Sequence, residues 1–184
     1  MPSPQALSEA DRRIVAAWAA DCAQRVLPLF EGEAPADDRP RDAIARARAF
    51  SRGELDAAGE IRRRFVAGRA AQSASSPAAI AAARAAAQAS GVAHMGAHAL
   101  GAAAYAAKAA GLARPDRPMA TADEIAWQVD HMDAAVRSAL SGLPPLGEDS
   151  AGPLGPGLLA SGILGSVIRD TQAAIGTGSQ GGAD

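Results

Sequence analysis

The stretch PAAIAAARAAAQASGVAHMGAHALGAAAYAAKAAGLA, residues 77–113, decides the fold. Alanine loses no side-chain entropy on folding and is the best helix former, so a run this rich in it is helical over most of its length. Its methyl group buries little apolar area, and it serves a core mainly by letting neighbouring elements approach closely. The stretch therefore reads as the central axle of a helical bundle. Gly91 and Gly96 bracket Val92, Ala93, His94 and Met95, and each glycine costs about 1 kcal/mol against alanine in a helix interior. This spacing predicts a break, with one helix up to about Ala93 and a second from about Ala97 to Ala110. Gly111 is then the stop, with Pro115 shortly beyond it.

Towards the N-terminus, residues 1–7 read as a frayed lead. Ser8 and Asp11 open a long first helix, a hydroxyl N-cap followed by an acid in the first turn. Ile14, Trp18, Cys22, Val26 and Leu29 supply its apolar stripe, and Pro28 and Gly32 end or bend it. After the polar loop EGEAPADDRPRD, Asp37 or Asp38 caps a short second helix of about Pro40–Arg52, with Ile44, Ala47 and Phe50 inward. Gly53 ends it. A third helix opens at Glu54 with Leu55, Ala58, Ile61 and Phe65 inward, and Arg62, Arg63 and Arg64 splay over about 200° beside that set. The Ser-rich QSASSP is a linker into Pro77.

Beyond the axle, Thr121 and Glu124 have the spacing of a capping box. Ile125, Val129, Met132, Val136 and Leu140 predict a last core helix over about Ala122–Ser141, with an interruption near His131. The composition then shifts. Residues 1–141 read as the helical domain and 142–184 as a Gly/Pro-rich extension with a weak helix at about 157–175 that packs on the bundle or on a partner. As a membrane span that segment is poor, since Arg169 and Asp170 leave fewer than the ~20 apolar residues required. The expected fold is thus all-α, a single bundle of about five to seven helices around the Ala-rich central pair.

The 184 residues suit one domain, and aromatic residues are only 3%, so aliphatic side chains and tight helix contacts carry the core. Eighteen basic against 20 acidic residues give a net charge of −2 and no global field for nucleic acid or an anionic membrane. The single cysteine excludes an internal disulfide and suits a reducing compartment. No basic region followed by an apolar segment marks the N-terminus for secretion, so the expected location is cytoplasmic.

His94 and His98 are four apart, the spacing of helical metal pairs, and a metal site would need His131 or Asp130 as a further ligand. No HExxH is present, and packing or capping at the helix break is the preferred reading, with no cofactor called for. Cys22 lies on an apolar stripe and reads as a small hydrophobe. Arg39 and Arg41 sit among Asp37, Asp38 and Asp42. They either lock the loop by pairing or, as guanidinium groups suited to interfaces, recognise a partner. Trp127 falls off the apolar line of its helix and either packs across a second face or stands exposed as an anchor.

Four stretches read together carry a family resemblance. WAADCAQRVLPLFE (18–31), DDRPRDAIARARAFSRGE (37–54), AARAAAQASGVAHMGAHALGAAAYAAKAAG (82–111) and EIAWQ (124–128) resemble the immunity proteins of bacterial polymorphic toxin systems, the Imm-five-like group. The resemblance covers most of residues 10–141. It implies an all-helical cytoplasmic protein that neutralises a cognate protein toxin by binding it. No catalytic constellation appears among the residues, so the expected action is non-catalytic, and the interface chemistry of Arg39, Arg41 and Trp127 makes them the candidate contact residues. The chain departs from the group at Val66–Arg69, where a helical histidine is expected, and at Met95, where relatives place a proline. The alternatives are a small metal-assisted enzyme built on His94 and His98, and a nucleic-acid-processing protein of the kind labelled an exonuclease subunit. The latter finds no phosphate-binding GxxxxGK[ST] loop and no long heptad run to support it.

Overall fold

A computed structural model describes residues 3–63 and 65–178. Among them are eight α-helices: α1 (Glu9–Glu31), α2 (Arg39–Ser51), α3 (Ala57–Arg63), α4 (Pro77–Gly91), α5 (His98–Leu112), α6 (Ala120–Asp130), α7 (Ala134–Ser141) and α8 (Gly162–Gly178). Three 3-10 segments accompany them, at Pro4–Ala6, Ala67–Ser73 and Leu158–Ala160, and there is no strand among the described residues. The fold is all-α. The count passes the expected five to seven because the last core helix divides at His131 into α6 and α7, and because the tail supplies a full helix.

The axle is the pair α4 and α5, which pack on each other and on α1. Ala82, Ala83, Ala85 and Ala86 of α4 and Ala102, Ala104, Ala106 and Ala107 of α5 have no exposed surface. Methyl groups allow that close approach, and neighbouring helices fill the remaining volume with larger groups. Trp18, Val26 and Phe30 come from α1, Ile44 and Phe50 from α2, and Leu140 from α7. Ser76 caps α4 by accepting a bond from the Ala79 amide at 3.1 Å, so the Ser-rich linker ends in a working N-cap. The α4–α5 break falls at 92–97, as the paired glycines predict. A Cβ on Gly91 would stand 3.0 Å from the His98 ring, so the absent side chain is what lets that ring lie against α4.

Several expected facings are corrected. Residues 3–7 are not a frayed lead: Gln5 is fully buried. Its side-chain amide donates to the Ala151 carbonyl, its Oε1 accepts from the Leu154 amide at 2.8 Å, and Ser3 donates to Asp149 at 3.2 Å. The same segment serves the break, where the Gly96 and Ala97 amides donate to the Ala6 and Gln5 carbonyls, each at 3.0 Å. Ile14 is 36% exposed and Val15 fully buried, a one-residue rotation of the inward face at the start of α1. In the third helix Ala58 is exposed, Phe65 is 63% exposed and Glu60 is buried, because Arg46 of α2 reaches Glu60 with two hydrogen bonds. Arg64 lies outside the described residues.

The capping box at Thr121 does not form. α6 begins two residues earlier, with Met119 at an N-cap that has no side-chain bond, and Glu124 turns inward to Arg25 of α1. A buried carboxylate with a guanidinium partner wins over a solvent-side cap. The tail helix α8 packs on α5, α6 and α7, with Leu164, Val167, Ile168 and Ile175 buried in the common core. No helix among the described residues is long and apolar enough to cross a membrane.

Candidate functional site

The break between α4 and α5 shapes a cleft. A cavity of about 660 Å³ opens there, with Phe65 and Arg69 on one side and Gln88, Gly91, His94 and His98 on the other. That volume lies in the range of small-ligand pockets and of sockets that take a partner's side chain. α4 positions Gln88 and Gly91 one helical turn apart, and the tight passage 92–97 delivers His94 to the rim and His98 to the floor. His98 Nδ1 meets Gln88 Oε1 at 2.8 Å, a geometry in which the ring N–H donates to the amide oxygen and the Nε2 lone pair is left as acceptor. Burial, and secondarily the neighbouring His94, pushes the His98 pKa down to about 4 from 6.5. The cleft floor is therefore a neutral imidazole at physiological pH.

The two histidines of the sequence reading do come together, with ring centroids 6.4 Å apart and planes tilted by 37°. His131 does not join them. It stands at the C-terminal end of α6, stacked on Trp127 at 3.8 Å between centroids. Among the described residues no group of three or more His, Cys, Asp or Glu is placed to hold a metal ion. Cys22 is buried in α1, and burial, with Glu124 and Asp21 nearby, pushes its thiol well above the usual range, so the nucleophilic thiolate is disfavoured.

The proposed contact residues divide into two clusters. Arg39 is held on Asp37 by paired hydrogen bonds of 2.8 and 2.5 Å and also reaches Ser73 at 3.1 Å, tying the α1–α2 loop to the 3-10 segment before α4. The Arg39 guanidinium holds the Asp37 carboxyl well below the ordinary carboxylate range. Asp37 also accepts from the Arg39 amide at 3.2 Å, whereas Asp38, at the N-cap position, makes no side-chain capping bond. Arg41 pairs with Glu31 at 2.6 Å with its side chain 68% exposed. Trp127 belongs to the other cluster. It is half-buried, with the Arg25 guanidinium 3.8 Å from its ring centre while Arg25 Nε donates to both oxygens of Glu124.

Phe65, Arg69 and Gln88 carry no signal of a site in the sequence: the periodicity places Phe65 inward, and Gln88 is ten residues from the histidine it orients.

The fold and cleft define an all-helical bundle with an opening of about 660 Å³ floored by a histidine held neutral. The family model described as "Imm-5 like putative immunity protein" matches residues 5–135 of the chain. The chain belongs to that family. No curated protein and no solved structure matches it.

Proposed function

We propose that the chain is a cytoplasmic immunity protein of a bacterial cell that binds a cognate protein toxin and neutralises it by covering its working surface. Membership of the immunity family over residues 5–135 is the observation that carries this reading. The cleft supports it as a contact surface. Phe65 is 63% exposed at its edge, and a large exposed aromatic beside arginine is the composition of interface anchors.

Among the three contact residues named from the sequence, Arg41 fits the role best, because a partner can reach it without displacing a buried group. Arg39 acts first as a loop clamp. Trp127 becomes available only where Arg25 swings aside.

The test is co-expression with the product of the adjacent gene in a bacterial host. Growth rescue together with a co-purifying one-to-one complex is the expected result. A chain that is folded by circular dichroism yet neither rescues growth nor co-purifies refutes the reading.

A further inference from the structure

Charge is segregated along this chain in a way the net value of −2 conceals. From Ile61 to Pro115 there is no Asp or Glu, yet seven of the 18 Lys and Arg residues fall there, leaving 11 arginines against all 20 acids elsewhere. Each of those 11 reaches a carboxylate or a backbone carbonyl. Within the acid-free stretch only Arg63 has such a bond among the described residues, to Asp42 at 3.5 Å. Arg62, Arg69, Arg84, Lys108 and Arg114 have none. Among the described residues these five cations thus lack the carboxylate or carbonyl partner that the other arginines have. Arg84 and Lys108 line one cavity, and two like charges there favour an anionic partner.

The fold lines three of them along one face. Pro77, Ile80, Arg84, Gln88 and Gly91 follow one another at three- and four-residue steps and so form one stripe of α4. The C-terminal half of that stripe borders the histidine cleft with Arg69. The N-terminal half borders a second cavity of about 390 Å³, lined also by Arg84, Tyr105, Lys108 and Leu158. Leu158 is 63% exposed. Neither cavity has an Asp or Glu among its described lining residues.

We infer that this face, with Arg84 and Lys108 at the Tyr105–Leu158 trough and Arg69 at the histidine cleft on the same α4 stripe, docks an acidic protein segment that inserts an aliphatic or aromatic side chain into the trough. The inference rests on the toxin-binding reading only in taking that segment to be the toxin's. A protein segment fits better than a nucleic acid. The trough offers an apolar socket, and the acid excess over the rest of the chain repels a long polyanion that runs past the face.

The test uses the full chain and a fluorescein-labelled dodecapeptide of alternating Glu and Leu, with a thymidine dodecanucleotide in parallel. The peptide is expected to move the amide NMR signals of Arg84, Tyr105 and Lys108. Its affinity should fall about tenfold or more in Arg84→Glu/Lys108→Glu and stay unchanged in Arg52→Glu, which alters an exposed arginine paired with Glu54. Should the double reversal fail to fold, Arg84→Gln/Lys108→Gln carries the same comparison with a smaller loss. Unchanged peptide affinity, shifts confined to other helices, or tighter binding of the dodecanucleotide each overturns the inference. The same double variant is then offered the adjacent-gene product. If the unmodified chain binds that product and the folded double variant binds it equally well, the face is wrong and the toxin-binding reading stands. If the unmodified chain does not bind it, the toxin-binding reading fails, and the peptide comparison still decides the face.

Discussion

Acidification should loosen this protein through His98, and the size of the effect follows from the cleft. The unfolded chain protonates this imidazole near 6.5, whereas the folded cleft holds it at about 4 because burial disfavours the charged ring and His94 adds to that. Between those values the unfolded state binds more protons than the folded one, so stability rises with pH across the window and is lost as pH falls through it. At 1.36 kcal/mol per pKa unit the full difference is about 3 kcal/mol, of which about 2 kcal/mol is gone by pH 5. Urea unfolding at pH 7.5, 6 and 5 reads the loss, and His98→Gln provides the comparison, since an amide in the same place does not titrate. The variant is expected to start less stable but to lose about 2 kcal/mol less than the unmodified chain over that range. An NMR titration of the His98 ring supplies the direct check. A midpoint near 6.5, or identical pH dependence in the two proteins, would refute the argument that burial keeps this ring neutral.

Arg25→Ala should destabilise by about 1–2 kcal/mol because it leaves the buried Glu124 carboxylate without its partly exposed guanidinium partner, and it should alter Trp127 fluorescence as the cation leaves the ring. Thermal melting and emission spectra check both effects, and Glu124→Gln in the Arg25→Ala background should recover part of the stability. Arg39→Ala should lower the melting temperature through loss of the Asp37 and Ser73 bonds, while Arg41→Ala, an exposed site, should stay within about 0.5 kcal/mol of the unmodified chain by the same assay. Elemental analysis of the purified protein should find zinc and iron far below one per chain, since His94 and His98 stand without a third ligand among the described residues. A near-stoichiometric metal that disappears in His94→Ala would overturn that expectation.

Signals that act within a few residues were legible in the sequence. Ser8 caps α1 by accepting from the Asp11 amide at 3.0 Å, Pro77 opens α4, the paired glycines set the break, and His131 marks the division of α6 from α7. Facing within a helix was less legible where a polar residue took a core position. Glu60 and Glu124 are buried because Arg46 and Arg25 arrive from other helices, and no local pattern announces a partner 14 or 99 residues away. Phe65 shows another limit, since α3 ends at Arg63 and the helical period that would place Phe65 inward does not reach it. Of the cleft, the histidine pair was visible from its spacing. The tilt of His98 onto Gly91 and its bond to Gln88 depend on how the chain reverses at 92–97. The acid-free run from Ile61 to Pro115 was present in the sequence throughout, but it gains meaning only when the other arginines are seen to be paired.

The Gln5 clasp bears on the order in which the chain can complete itself. As the polypeptide emerges, Gln5 and Ala6 can offer their carbonyls to Gly96 and Ala97 once the break has been made. The Gln5 side chain must wait for Ala151 and Leu154, which come after the last residue of the family match. Until then a fully buried amide would sit unsatisfied, a penalty of about 1–3 kcal/mol against closing the N-terminal turn onto the bundle. Final closure is thereby tied to the tail, and a chain truncated before Ala151 is expected to lose both Gln5 side-chain bonds and to show faster proteolysis of its first residues.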